Sequence, residues 1–250
     1  MIRIILSGCN GKMGQVITKA INMRDDCEIV AGVDIDNVML SSYPVYSAFK
    51  DINTIADVVI DFSHPSTLNS IISYCADTKT PVVLATTGYS DSQVEQINEL
   101  SKTAPVFFSF NMSLGVNLLI DLAKKATCLL ADAFDIEIIE AHHNQKLDAP
   151  SGTAVMISNA INSVLDEPYE LNYDRHVKRE KRTKKEIGMH SIRGGSIVGE
   201  HQIIFSGQDE IITLSHSARS KEIFAVGAIK AAMFMVGKPK GMYQMQDIIK

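Results

Sequence analysis

The chain has no tryptophan, aromatic residues make up only 6% of it, and its four cysteines (Cys9, Cys27, Cys75 and Cys128) form no CxxC pair. That spacing excludes a zinc ribbon and the dense cystine framework of a small secreted scaffold, and it reads as free thiols in a reducing compartment. Long apolar runs are missing as well. The opening Met1-Ile2-Arg3-Ile4-Ile5-Leu6 is too short for a signal sequence, and no later window reaches the roughly 20 uncharged residues that cross a bilayer. The expectation is a cytoplasmic protein with no membrane partner. An excess of positive charge is also absent: 24 Lys and Arg stand against 29 Asp and Glu, a net charge of -5, which argues against a nucleic-acid binder. What is present is a chain of 250 residues, 46% hydrophobic and 21% charged, which excludes a disordered or collagen-like chain and suffices for two cores.

Residues 2–6 form a β-branched apolar run of the kind covered on both faces in a parallel sheet. Glycines follow, and Val16, Ile17, Ala20 and Ile21 then recur at helical spacing. The alternation continues with strands expected at 28–33, 58–60, 81–85 and 106–110 and helices at 67–76 and 91–102. Repeated strand–helix units with short connections predict a parallel, doubly wound sheet. Beyond residue 112 the pattern changes. A helix over 114–130 leads to a strand at 135–140, a second helix follows Pro150, and runs at 189–193, 197–205 and 210–216 are separated by glycine-containing turns that predict antiparallel hairpins. An apolar helix at 222–236 and a short segment at 243–249 close the chain. The expected fold is α/β: a Rossmann-like dinucleotide-binding domain formed by 1–112 and 221–250, and an inserted α+β domain at 113–220 with a mixed, largely antiparallel sheet.

Gly8-Cys9-Asn10-Gly11-Lys12-Met13-Gly14 joins the first strand to the first helix. Such glycines let backbone N–H groups approach a pyrophosphate at the positive end of a helix. Asp34 lies twenty residues past Gly14 at the end of the second strand, where a carboxylate accepts hydrogen bonds from a ribose diol. No Lys or Arg follows Asp34 within several residues, so NADH is expected over NADPH. Two further strand ends, at Asp61-Phe62-Ser63-His64-Pro65 and Ala85-Thr86-Thr87-Gly88, face the same crevice.

The segment from Glu140 to Ala154 packs His142, His143 and Lys146 into five residues and then opens a helix at Pro150-Ser151-Gly152-Thr153. Ser151 is suited to the N-cap, leaving first-turn N–H groups to meet an anion. His143 and Lys146 suit a carboxylate-bearing substrate, with one imidazole left for proton transfer near neutral pH. A metal site is not expected, because adjacent histidines on a strand point to opposite faces and no further ligand cluster appears.

The stretch His142-His143-Asn144-Gln145-Lys146-Leu147-Asp148-Ala149-Pro150-Ser151-Gly152-Thr153-Ala154 resembles the signature of the 4-hydroxy-tetrahydrodipicolinate (dihydrodipicolinate) reductases. The resemblance extends through the glycine loop, residues 85–88, Asn111-Met112-Ser113-Leu114-Gly115-Val116-Asn117, Arg193-Gly194-Gly195 with Gly199-Glu200-His201, and residues 241–247. It implies transfer of hydride from NADH or NADPH to a cyclic, unsaturated imine dicarboxylate in lysine and diaminopimelate biosynthesis, by a homotetramer built through the inserted domain. It also implies that His142 is the acid/base group, that Lys146 donates the proton or orients the substrate, and that His143, Ser151, Gly152 and Thr153 hold substrate. The cofactor set is Gly8, Asn10, Gly11, Lys12, Met13, Gly14, Asp34, Phe62, Ala85, Thr86, Thr87, Gly88, Ser109, Asn111, Met112 and Lys221. Lys12 and Lys221 stand where the family pattern has arginine, which keeps the charge but loses the bidentate fork.

Residues 175–185 carry a basic run with little aromatic interleaving, read here as a solvated loop rather than a nucleic-acid surface, with attraction of a dianionic substrate as its secondary use. Two rival readings remain at this point: another nicotinamide-dependent dehydrogenase acting on an amino-acid semialdehyde, and a non-catalytic dinucleotide-binding regulator. The regulator would keep the glycine loop without needing His142 and Lys146 together.

Overall fold

The computed structural model describes residues 1–177 and 179–249. In chain order its elements begin β1 (Ile2–Ser7), α1 (Lys12–Ile21), β2 (Cys27–Val33), β3 (Val45–Tyr46), β4 (Val58–Asp61), α2 (Leu68–Thr78), β5 (Val82–Leu84), α3 (Asp91–Ser101), β6 (Pro105–Phe108), α4 (Leu114–Leu130) and β7 (Asp135–His142). They continue with α5 (Gly152–Asn162), β8 (Glu170–Asn172), β9 (Glu186–Arg193), β10 (Gly199–Ser206), β11 (Ile211–Ala218), α6 (Glu222–Met235), β12 (Gly241–Tyr243) and α7 (Met245–Ile249). Two compact units result, one of Met1–Leu114 with Lys221–Lys250 and one of Gly115–Ser220.

The first unit holds a seven-stranded sheet in the order β12-β6-β5-β4-β1-β2-β3, parallel in every pairing. Strand residues alternate between two apolar layers. Ile4, Leu6, Val58, Ile60, Val83 and Phe107 pack with α1 and α6 on one face, and Ile5, Val59, Val82, Leu84 and Val106 pack with α2 and α3 on the other. Burial on both faces is why these strands read as continuous β-branched runs. β1 lies between β2 and β4, so the connections leave it in opposite directions and the sheet's topological switch point falls at its carboxyl end.

The second unit holds a five-stranded sheet in the order β11-β10-β7-β9-β8. β10 pairs antiparallel with β7 and β11, whereas β9 pairs parallel with β7 and β8. The sheet is therefore mixed in equal parts rather than largely antiparallel, and the expected hairpin between the runs at 189–193 and 197–205 does not form. The Gly194-Gly195 turn bonds instead to the end of β7, with Gly194 N donating to His142 O at 2.9 Å and Asn144 N donating to Gly195 O at 3.2 Å. β7 separates the two runs: α5 carries the chain from β7 across to β8, and β9 then enters between β8 and β7, parallel to both.

One face of this sheet carries an apolar ladder. Ile138 is flanked by Ile203 and Met189, and Ile136 by Phe205 and Ile187, all buried against α4 and α5. One step further along the same face, at Glu140 with His201 and Ser191 beside it, the layer turns polar. The basic run is a solvated loop as expected, eight of its ten described residues being exposed, and it is pinned by a few ion pairs. Arg182 donates to Glu137 at 3.0 Å, to Asp135 at 3.2 Å and to the Ile136 and Glu186 carbonyls, while Arg175 pairs with Glu186 and Lys185 with Glu167. Lys178 of that run, like Lys250, lies outside the described residues.

Candidate active site

In the first unit, a cavity of about 740 Å³ opens at the carboxyl ends of β1, β2 and β4. Five of the predicted cofactor residues line it: Gly8, Asn10, Gly11, Asp34 and Phe62. Gly8 has φ +76°, and a Cβ there would stand 2.5 Å from the Phe62 carbonyl oxygen. A Cβ on Gly14 would come within 2.2 Å of the Gly8 carbonyl oxygen. Glycine is required at both positions, because the loop folds against β4 on one side and against the first turn of α1 on the other. Gly11 is the N-cap of α1 and offers no side-chain acceptor, so the first-turn N–H groups stay available to an anion. α3, by contrast, is closed by a capping box of Ser90 and Gln93.

Asn10 ties the glycine loop to the acidic loop after β2. Its N–H donates to Asp34 Oδ2 at 2.9 Å, and its side-chain amide donates to the Asp36 and Val38 carbonyls at 2.7 and 2.9 Å. Asp36 joins Asp34 in the cavity wall, and no Lys or Arg is among the described residues lining it. Exposed Lys12 and half-buried Met13 open α1 without lining the cavity.

The remaining predicted cofactor residues are placed elsewhere in the unit. Ala85 and Thr86 are buried after β5, and the Thr86 hydroxyl turns inward to donate to Asp61 at 2.6 Å, while Thr87 and Gly88 are exposed. Ser109 donates to the Asn111 carbonyl at 2.9 Å, the Met112 side chain belongs to the apolar core, and exposed Lys221 precedes α6.

The six residues predicted for catalysis and substrate all lie in the second unit, on the stretch between the end of β7 and the start of α5. Ser151 caps α5, its Oγ accepting from Ala154 N at 3.2 Å, with Gly152 and Thr153 in the first turn. Lys146 Nζ pairs with Asp148 Oδ1 at 2.8 Å, and His143 is half-buried. His142 Nδ1 lies 2.6 Å from Glu140 Oε2. Glu140 is fully buried and receives Arg193 Nη1 at 2.9 Å, Arg193 Nη2 at 2.7 Å and Ser151 N at 3.2 Å. Burial alone pushes the Glu140 carboxyl up, but Arg193, Ser191 and His142 outweigh it and bring it down to about 2. An ionised acceptor facing Nδ1 makes that nitrogen the N–H donor, so that in the ring's uncharged form the lone pair lies on Nε2.

His201 packs edge-on against His142, with ring centroids 5.3 Å apart, and its Nε2 lies 3.0 Å from Ser151 Oγ. Burial and the neighbouring His142 lower its pKa to about 4, so it is neutral at physiological pH.

Glu140, Arg193 and His201 carried no expected role on sequence, although Arg193 and His201 lie in stretches that carry the family resemblance. A signal for the first was available: Ile136, Ile138, Glu140 and His142 share one face at strand period, so a carboxylate on the inward side next to a histidine called for a buried partner. Arg193 lies 53 residues from Glu140 and His201 lies 50 from Ser151, and nothing local marks either pairing.

Two family models cover nearly all of the chain: "Dihydrodipicolinate reductase, N-terminus" matches residues 2–112 and "Dihydrodipicolinate reductase, C-terminus" matches residues 115–249. A protein of Caldanaerobacter subterraneus subsp. tengcongensis named 4-hydroxy-tetrahydrodipicolinate reductase is 52% identical over all of this chain and 99% of its own length. A namesake from Clostridium novyi is 50% identical over the same shares. Among solved structures, the dipicolinate-bound dihydrodipicolinate reductase from Paenisporosarcina sp. TG-14 matches with a TM-score of 0.83 at 28% identity, covering 98% of this chain and 97% of that one. A myo-inositol dehydrogenase from Corynebacterium glutamicum shares the fold at 15% identity and a TM-score of 0.62, over 100% of this chain and 92% of that one.

Proposed function

The chain belongs to the dihydrodipicolinate reductase family, and from that membership together with its site geometry we infer that it is a 4-hydroxy-tetrahydrodipicolinate reductase. It is an NAD(P)H-dependent oxidoreductase that reduces a cyclic imine dicarboxylate to tetrahydrodipicolinate, a step of lysine and diaminopimelate biosynthesis. The observation that carries the reading is the Glu140–His142 pair beside Lys146 and the first turn of α5. A non-catalytic regulator has no use for a buried carboxylate that fixes one tautomer of a half-buried imidazole.

The first unit fits a nicotinamide dinucleotide. The uncapped α1 terminus and the close approach at Gly8 and Gly14 suit a pyrophosphate, and Asp34 suits a ribose diol. When bound, the reduced nicotinamide supplies the hydride. Because Asp34 and Asp36 line the cavity without a cationic side chain, a 2′-phosphate meets uncompensated negative charge there, and NADH is the preferred donor. We assign Lys12, Met13, residues 85–88, Ser109, Asn111, Met112 and Lys221 to the same cofactor set on the family pattern.

In the second unit, His143, Lys146 and the Ser151-Gly152-Thr153 turn hold the substrate carboxylates, combining cationic side chains with helix N–H groups. Hydride addition leaves electron density on the substrate that takes up a proton, which Lys146 delivers from Nζ or His142 delivers from Nε2 in its imidazolium form, whose charge the Glu140 carboxylate offsets. Glu140, itself held by Arg193, keeps His142 in one orientation for that transfer. The working assembly is a homotetramer built through the second unit, a reading supported by β11, which exposes alternate residues along its length. Three of the four cysteines are buried free thiols, in keeping with a cytoplasmic enzyme.

The decisive experiment follows oxidation of NADH and of NADPH with freshly generated 4-hydroxy-tetrahydrodipicolinate. Turnover with kcat/KM favouring NADH is expected. No turnover, alongside turnover of an amino-acid semialdehyde, overturns the assignment, and equal use of NADPH overturns the cofactor preference alone. Light scattering that gives a monomer or dimer removes the tetramer.

A further inference from the structure

Asp61 ends β4, between Ser7 of β1 and Leu84 of β5, and its side chain is fully buried. Each carboxylate oxygen serves a different loop. Oδ1 accepts from the Ser63 hydroxyl at 2.5 Å and from Ser63 N at 3.3 Å. Oδ2 accepts from the Thr86 hydroxyl at 2.6 Å and from the Tyr89 hydroxyl at 3.3 Å. The loop held by Oδ1 carries Phe62 and Ser63, which line the cavity, and the Phe62 carbonyl occupies the space that a Cβ on Gly8 would need. Tyr89, held by Oδ2, stacks edge-on against Phe108 of β6 with ring centroids 6.0 Å apart. One side chain therefore connects the carboxyl-end rim of the sheet from the glycine loop to β6.

The choice of residue is informative. All of these donors are neutral, and burial pushes the Asp61 carboxyl up even though the hydroxyls pull it back. A buried carboxylate without a cation is a costly way to join two loops if joining them is its sole use. It is, however, an acceptor with enough lone pairs to take four donors at once and so fix both loops in one arrangement.

We propose that Asp61 is a positioning residue for the nicotinamide cofactor, holding the Phe62–Ser63 and Thr86–Tyr89 loops in the arrangement that admits the dinucleotide. The inference rests on the cofactor reading above.

The test uses the full-length enzyme and direct NADH binding by fluorescence, with steady-state kinetics and hydrogen–deuterium exchange over residues 62–64 and 86–89. Asp61→Ala is expected to weaken NADH binding about tenfold, equivalent to about 1.4 kcal/mol. The loss should fall on KM for NADH more than on kcat, with faster exchange in both loops. Asp61→Asn should recover part of the affinity, since its amide oxygen still accepts from Ser63 and its NH2 donates to the Thr86 oxygen. Ser63→Ala and Thr86→Val, which each remove one spoke, should each weaken binding about threefold, the scale of one neutral hydrogen bond. A folded Asp61→Ala that binds NADH as the wild type does overturns the proposal. If that variant does not fold, wild-type affinity in both single-spoke variants overturns it instead. Failure of the wild type to bind NADH removes the cofactor reading itself, whereas wild-type binding with unchanged variants removes this proposal alone.

Discussion

Substitution of Arg193 by methionine should destabilise the protein in a way that depends on pH, because it strips the cation from a carboxylate with no exposure to water. Arg193 holds Glu140 through two bonds of 2.9 and 2.7 Å, and its own side chain is 19% exposed. The Glu140 carboxyl is displaced from 4.5 to about 2, with Arg193 the foremost of the groups that overcome burial. At 1.36 kcal/mol per unit that displacement corresponds to about 3 kcal/mol, and solvent screening around the partly exposed guanidinium reduces it to about 2 kcal/mol. Methionine replaces much of the arginine stem, so the loss should come from the charge rather than from a void.

At pH 7 the expected deficit in urea unfolding is about 2 kcal/mol, or about 4–8 °C in Tm for a chain of this size. The sign of the pH dependence follows from the direction of the shift. A carboxyl held lower in the folded state stabilises it above the unfolded value near 4.5, and that contribution fades as pH falls through about 2. The gap between variant and wild type should therefore narrow below about pH 4.5. A Tm within about 1 °C of wild type at pH 7, or a gap at pH 3 as wide as at pH 7, would refute the reasoning.

His142→Ala and Lys146→Ala should each lower kcat by at least about a hundredfold while NADH affinity, read by fluorescence, is kept; equal loss of NADH binding in both would place the chemistry elsewhere. Asp34→Ala should chiefly raise the dissociation constant of NADH and narrow its advantage over NADPH, measurable as the ratio of the two kcat/KM values. His201, buried and lowered from 6.5 to about 4, makes the fold lose stability as pH falls across that interval, because the unfolded chain takes up the proton first. His201→Gln should flatten the urea-unfolding profile between those two pH values by up to about 3 kcal/mol, and an unchanged slope would show that another group dominates there.

The parallel sheet, the glycine loop, Asp34 and the Ser151 cap were legible in the sequence because each is written in neighbouring residues. β-branched runs buried on both faces, glycines between strand and helix, and a serine before an apolar helical period act within a few positions of one another. Strand pairing in the second unit was not legible at that range. Gly194-Gly195 looks like a hairpin turn, yet β7 lies between β9 and β10, and the turn bonds to His142 and Asn144 instead. The C-terminal family model runs through 115–249, yet α6 packs its alanines into the core of the first unit with α1.

Local chemistry thus indicated most strands and helices, though not the short β3 and β8, since those outcomes depend on nearest neighbours along the chain. Only the tertiary structure decided what holds the His142 imidazole. Arg193, His201 and Asp61 act through contacts whose partners lie up to 53 residues away, and such pairings are selected by the shared need of buried polar groups for one another rather than by any local pattern.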